Sequence, residues 1–179
     1  IKSPSKRIRP LVALLYLKMY GAEITPAQIE IQSAVELIHN TTLIHDDVID
    51  KSDKRRNHKT LNEEFDNSLA VVTGDFLLTS AIKKLLNIKS FDILELFNIA
   101  IKKMSIGEIK QYYDKFILTD FDEYLDRCRY KTAELFIASI VSAAMVANLD
   151  TNSAKDFAKR FGISFQIRDD LLNLISAEE

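Results

Sequence analysis

Apolar residues recur at intervals of three and four along nearly the whole chain, and only four glycines and three prolines interrupt its 179 residues. That period matches the 3.6-residue turn of an α-helix, and no stretch shows the apolar-polar alternation of a half-buried strand. An all-α protein is expected. Thr25, Pro26 and Gln28 together read as a helix start, with a capping threonine, a proline at the first helical position and a glutamine at the third. Asp120 with Glu123 marks a second start, and Gly21 marks the end of the first helix. Residues 87–92 and 148–153 read as connections between helices. With no repeat, low-complexity tract or long linker, residues 1–179 are read as a single helical domain.

The longest uncharged run, "LFIASIVSAAMVANL" at residues 135–149, is shorter than the roughly 20 residues a membrane span needs, so it is read as a central buried helix. No basic segment followed by an apolar stretch opens the chain, so neither a secretion signal nor a transmembrane segment is expected. Twenty-four basic and 26 acidic residues leave a net charge of −2, which provides no global field for nucleic acid. An anionic partner must be met locally. The one cysteine, Cys128, cannot form an internal disulfide, which suits a reducing compartment and a cytoplasmic protein.

The local charge lies in "LIHDDVIDKSDKRR", residues 43–56. On a helix running from Gln28, residues His39, Thr42, Asp46 and Asp50 follow at intervals of three or four and share one stripe. Two carboxylates one turn apart repel unless a cation lies between them, and a hard divalent ion with water or phosphate oxygens is the natural occupant. On its own such a pair is more often a solvated acidic face. A second cluster changes that reading. "FQIRDDLLN" sets Gln166, Asp169, Asp170 and Asn173 on one face of a helix otherwise rich in Phe, Ile and Leu. Two acidic stripes on apolar helices are costly to keep without metal ions and a polyanion. Arg55, Arg56, Lys6, Arg7 and Arg9 supply cations for phosphate oxygens. Together these groups describe a diphosphate site.

In these residues the chain resembles the trans-polyprenyl diphosphate synthases, the isoprenyl diphosphate synthases of geranylgeranyl and octaprenyl type. "LIHDDVIDKSDKRR" resembles their first aspartate-rich motif, DDxxD followed by RR, and "FQIRDDLLN" resembles the second. "SKRIRP" is similar to the GGKRxRP opening, "GEIKQ" at residues 107–111 to GExxQ, and "YKTAELF" from Tyr130 to the KT segment. His39 stands where the family has its substrate histidine.

The resemblance implies an isoprenoid synthase-type antiparallel helix bundle around a central active-site cavity. It implies a prenyltransferase that condenses isopentenyl diphosphate with an allylic diphosphate, with Mg²⁺ as cofactor and Mn²⁺ equally suited to the ligands. It further implies that Asp46, Asp50 and Asp169 hold metal, while Asp47 and Asp170 orient ligands or water around them. Arg55 and Lys131 are expected on the allylic diphosphate, and Lys6, Arg9, His39 and Arg56 on isopentenyl diphosphate. Thr132 and Gln166 are expected to lie along the developing allylic cation. A homodimer is implied as well. Two other classes compete: an ionisation-first terpene synthase, which has no use for the second diphosphate site, and a non-catalytic subunit of a heteromeric synthase.

Several of these residues have plainer readings. His39 and His45 could be packed helix histidines, Lys131, Arg129 and Lys110 surface charges, and Arg7 a solvent-facing one. Tyrosines, phenylalanines, Met104 and Met145 read mostly as core. Product length is expected from Thr41 and Thr42, five and four residues before Asp46, because Thr42 stands about 5.4 Å deeper along the stripe. In the resembling family, bulky aromatics at these positions stop growth early, so two threonines imply a product longer than farnesyl diphosphate, with Phe76 or Leu77 as an alternative floor. Three departures stand out. Asn173 replaces an Asp of the second motif, and Ser5 and Asn57 replace glycines, so both loops are expected to be less free to take positive φ. The chain also begins at the opening motif and stops soon after the second aspartate motif, so it is expected to be part of a longer synthase domain.

Overall fold

The structure, a computed structural model, describes residues 6–114 and 119–176. Ser5 and most of the connection before Asp120 lie outside them. The helices are α1 (Ile8–Met19), α2 (Pro26–Ile49), α3 (Leu61–Glu64), α4 (Asn67–Asn87), α5 (Phe91–Tyr113), α6 (Phe121–Cys128), α7 (Glu134–Val146) and α8 (Thr151–Ser176). A π-helical turn, Arg129–Ala133, joins α6 to α7. The chain divides into two compact units, Ile1–Leu11 with Thr25–Ser90 and Val12–Ile24 with Phe91–Glu179.

In the first unit α2 packs along α4. The Thr25 hydroxyl accepts from Gln28 N at 3.4 Å and the Gln28 side chain accepts from Thr25 N at 2.7 Å, the reciprocal cap expected from the sequence. Ile31, Ala34, Val35 and Ile38 form the buried face of α2. Ala70, Leu77, Ala81 and Leu85 form that of α4. The end of α2 comes from a left-handed residue, Lys51 at φ 52°. Lys51 N donates to Val48 O at 3.3 Å and Ser52 N to Asp47 O at 2.9 Å, which closes the Schellman pattern usually built on glycine.

Two short strands follow, β1 (Lys54–Arg55) and β2 (His58–Lys59), with Arg55 opposite His58. Their turn residues Arg56 and Asn57 take φ 50° and 64°. The positive φ that Asn57 was expected to resist is therefore adopted, because a two-residue hairpin with the twist of its strands needs it at both central positions. Strands of two residues are also too short to leave an alternation in the sequence. The Thr60 hydroxyl and Asn62 Nδ2 both donate to Ser52 O, at 2.6 and 3.1 Å, and pin the base of this hairpin.

In the second unit every residue of α7 from Glu134 to Ala144 is buried. A helix apolar all round is a core helix, as expected, and α5 and α8 cover it. It stops at Val146, three residues before the uncharged run ends, because Asn148 takes φ 53° and Leu149 N returns to Ala144 O at 2.9 Å. Phe157, Phe161 and Phe165, four residues apart on α8, form an aromatic stripe against Phe136 of α7 and Tyr16 of α1. Asp120 caps α6 as expected, accepting from Glu123 N at 2.8 Å. The buried carboxylate of Glu134 takes Lys103 at 3.1 Å and Arg129 at 3.2 Å.

The π-helical turn is approached closely from two sides. A Cβ on Gly162 of α8 would lie 2.5 Å from Ala133 Cα, and one on Gly107 of α5 would lie 2.8 Å from Tyr130 Cβ. Both glycines are needed for that approach. Gly162→Ala gains helix propensity of about 1 kcal/mol, but a backbone atom cannot yield as a flexible side chain would, and overpacking costs about 1–3 kcal/mol. The variant is expected to have a lower urea midpoint at unchanged slope; a raised midpoint would show that α8 is not held this close.

Candidate active site

The α2 stripe in the first unit is formed as expected: His39, Thr42 and Asp46 are half-buried on one helix, and Asp50 is exposed at its cap. Asp47, one residue out of register with the stripe, is buried. Its Oδ1 accepts from Arg55 Nε at 2.9 Å and Nη2 at 2.8 Å. The hairpin therefore folds Arg55 back over the last turns of α2, and Asp47 holds a cation of the protein itself. His45 is packed rather than poised. Its ring lies against Gly74, where a Cβ would come within 2.2 Å of Nε2, and that nitrogen is 3.3 Å from Val71 O and 3.5 Å from Asp75.

The charges of three arginines reach His39, and Glu36 interacts with two of the same arginines. Burial pushes its imidazole down to about 3, and the charges of Arg9, Arg56 and Arg55 push the same way. The ring is neutral. Burial lowers Arg9 to about 10 against the attraction of Glu36, and it raises Glu36 against Arg9, Arg7 and Arg56. The sequence-expected anion groups Arg9, His39, Arg55 and Arg56 thus share one electrostatic neighbourhood. Lys6 is exposed ahead of α1. The structure also adds Glu36 to this set, a residue the sequence reading passed over although it sits three positions before His39.

Asp46 and Asp50 offer hard oxygen donors one helical turn apart. Among the described residues no group of three or more His, Cys, Asp or Glu side chains is arranged to hold a metal ion. Such a donor set fits an ion that takes one or two carboxylates and completes its shell with water and phosphate oxygens, as Mg²⁺ does, and not an all-protein cage. Below the stripe, the Thr42 hydroxyl donates to His39 O at 2.9 Å. Thr41 is buried, and its hydroxyl reaches Leu37 O and Gly74 O, each at 3.1 Å. Leu77 is buried and Phe76 exposed.

In the second unit the π-helical turn presents Lys131 and Thr132. Lys131 Nζ donates to Gln111 Oε1 at 3.0 Å and lies 3.7 Å from Glu108, so Glu108 and Gln111 of "GEIKQ" aim this lysine. Gly107 of the same motif lets them come that close. Thr132 Oγ1 donates to Gln166 Oε1, and Gln166 Nε2 donates to Asp170 Oδ1 at 2.8 Å. The other Asp170 oxygen accepts from Tyr124 at 2.7 Å. Asp170 was expected to orient ligands or water; both of its oxygens here are held by protein donors. Asp169 is exposed on α8.

Gln111, Lys131, Gln166, Asp170 and Asn173 line a groove of about 750 Å³ together with Tyr124 and apolar residues of α8. Asn173 therefore faces the same space as the lysine, whatever it contributes to metal. Burial raises the Tyr124 phenol, and its hydrogen bond to Asp170 raises it further. Tyr124 was missed from sequence because a tyrosine on an amphipathic helix reads as core. Glu108 and Gln111 had a signal, a three-residue spacing that places both on one helix face.

The neutrality of His39 has a consequence for stability. The unfolded chain takes a proton near the ordinary value of 6.5 that the native chain refuses until about 3, so stability falls as pH falls through that window. The melting temperature of the protein is expected to decline between pH 6.5 and 4, and His39→Gln is expected to flatten part of that decline; an unchanged slope would show His39 to be charged in the fold.

The family model for polyprenyl synthetase matches residues 1–179. The chain is 37% identical over 178 residues to the decaprenyl-diphosphate synthase of Dictyostelium discoideum, covering 97% of this chain and 39% of that protein. It is 38% identical over 183 residues to the chloroplastic solanesyl diphosphate synthase 1 of Arabidopsis thaliana, covering 97% and 45%. The chain spans about half the length of the curated relatives it matches. A solved polyprenyl synthase from Caulobacter crescentus CB15, complexed with calcium and isoprenyl diphosphate, has the same fold at a TM-score of 0.87 and 32% identity, covering 93% of this chain and 52% of that one. Relatives that include the Arabidopsis thaliana solanesyl diphosphate synthase 1 are chloroplastic, so kinship does not assign the cytoplasm expected from sequence. Among the described residues no helix is long and apolar enough to cross a membrane. The all-α isoprenoid synthase fold expected from the motifs is the fold of these relatives, and the chain belongs to the polyprenyl synthetase family.

Proposed function

We propose that this chain carries the substrate-binding groups of a Mg²⁺-dependent trans-prenyltransferase that adds isopentenyl diphosphate to an allylic diphosphate. The observation that carries the reading is the neighbourhood of α2: two carboxylates one turn apart on the same helix as a neutral His39 set among Arg9, Arg55 and Arg56. Acid groups for a divalent ion beside basic groups for phosphate are what a diphosphate substrate requires.

Asp46 on α2, Asp50 at its C-cap, and Asp169 on α8 are the residues that would hold the ions. When bound, those ions supply positive charge that stabilises the departing diphosphate. Arg55, aimed by Asp47, and Lys131, aimed by Gln111 and Glu108, grip allylic diphosphate oxygens. Lys6, Arg9, His39 and Arg56 hold isopentenyl diphosphate, with His39 donating a hydrogen bond from its neutral ring. Thr132 and Gln166 offer oxygen lone pairs to the allylic cation and, being neutral, do not capture it. The isopentenyl double bond then forms the new carbon-carbon bond, and a proton leaves to a diphosphate oxygen. No side chain acts as nucleophile.

The product is a long all-trans chain. Thr42 is small and half-buried one turn below Asp46, Thr41 is tied to α4 and adds no bulk, and the relatives named above make decaprenyl and solanesyl diphosphates by name. The active form is a homodimer. Full-length protein incubated with Mg²⁺, labelled isopentenyl diphosphate, and geranyl or farnesyl diphosphate is expected to yield products longer than farnesyl. Asp46→Ala is expected to lose at least about a hundredfold in kcat, the scale of removing a charge-stabilising group. No elongation from any primer would overturn the synthase reading in favour of a non-catalytic subunit, and cyclised products without elongation would favour a terpene synthase.

A further inference from the structure

The hydrogen bonds from Thr132 through Gln166 to Asp170 end on Tyr124, a residue the proposed reaction does not otherwise use. Tyr124 donates to Asp170 Oδ2 at 2.7 Å, Gln166 Nε2 donates to Asp170 Oδ1 at 2.8 Å, and Thr132 donates to Gln166 Oε1. We propose that Tyr124 is a positioning residue for prenyl transfer: by fixing Asp170 it sets the orientation of the Gln166 amide, and through it the hydroxyl of Thr132. The assignment rests on the prenyltransferase reading above.

The argument turns on the two faces of a carboxamide. A primary amide can be rotated by half a turn with almost no change of shape, which exchanges an acceptor for a donor. Packing does not distinguish the two orientations, so a hydrogen-bond partner must. Asp170 receives a donor on each oxygen, so it selects the amino end of Gln166. The carbonyl end then faces Thr132 and takes the hydroxyl proton, which leaves the threonine oxygen as an acceptor toward anything else near it. Reversed, the amide would point N–H groups at Thr132 and put partial positive charge where an allylic cation is to be stabilised. One half-turn of Gln166 therefore separates a favourable site from an opposing one.

Asp170 can make that selection only if it is held. It lines the groove of the second unit and, with one oxygen released, would turn toward water there. Tyr124 prevents this from a rigid support. Its ring is half-buried on α6, with the Arg127 guanidinium 5.5 Å from its centroid, and α6 runs directly into the π-helical turn that carries Thr132. The two ends of the hydrogen-bond chain, Tyr124 and Thr132, are thus also tied together through the backbone, eight positions apart.

The test is Tyr124→Phe in the full-length protein, which keeps the ring and removes only the donor. Its kcat is expected to fall roughly tenfold to a hundredfold, the scale of a slightly misplaced group, with KM for isopentenyl diphosphate unchanged and diphosphate still bound. In a Gln166→Leu background the same substitution is expected to cost less than about twofold, because coupled residues lose their interaction only once. Losses that multiply instead, or a Tyr124→Phe enzyme with full kcat, would overturn the assignment. Should Tyr124→Phe not fold, Asp170→Asn makes the same test, since its amide can no longer accept on both sides; full kcat there overturns the assignment equally. A wild-type protein that elongates no primer would overturn the underlying reading and this assignment with it, whereas elongation by wild type with an undiminished Tyr124→Phe would overturn this assignment alone.

Discussion

Backbone meets backbone where α8 and α5 reach the π-helical turn, and the chemistry of the second unit depends on that contact. Gly162 brings α8 against Ala133, which places Gln166, one turn further along the helix, beside Thr132. Gly107 brings α5 against Tyr130, which places Glu108 and Gln111 beside Lys131. The first pairing could not be made by a longer side chain on α8 alone, because Thr132 is short and buried.

The first unit reaches its arrangement by a different route, through strain. Lys51, Arg56 and Asn57 all hold positive φ within seven residues, at a typical cost of about 1–2 kcal/mol for each residue with a Cβ. Asp47 recovers part of this. It is buried, and leaving it without Arg55 would strand a charge in the fold, so the hairpin is drawn back over α2. Thr60 and Asn62 meet at Ser52 O and close the other end. The strained residues lie next to the charges they direct, in keeping with a structure that accepts local cost to aim functional groups.

What could be read from the sequence follows from which interactions are local. The cap at Thr25, the cap at Asp120 and the buried run of α7 each depend on residues within one turn or on a single continuous pattern, and each was visible. The end of α2 was not, because lysine is a poor indicator of the left-handed conformation that Lys51 adopts, whereas Gly21 and Asn148 announce theirs. The hairpin at Arg56 and Asn57 was hidden because arginine is an equally poor indicator and its strands, two residues each, are too short to leave a pattern. Aspartate spacing revealed the α2 stripe, but spacing cannot say that Asp47 would be buried on an arginine eight residues later, or that Asp170 would be claimed by a tyrosine 46 residues earlier. Those are products of tertiary packing.

The two sets of functional groups differ in kind, and the difference is chemical. Around His39 the structure gathers fixed charges and keeps the one titratable ring neutral, because three arginines and burial both oppose its protonation. A neutral imidazole adds a hydrogen-bond donor without adding to the repulsion among cations. Around Gln166 the groups directed at one another are a hydroxyl and an amide, and the carboxylate behind them has both oxygens occupied. In the proposed reaction a free carboxylate beside a carbocation would bond to it, whereas a neutral oxygen held by hydrogen bonds stabilises positive charge and lets it go. The two units thus offer different means: fixed charge around His39 in the first, and oriented neutral dipoles around Gln166 in the second.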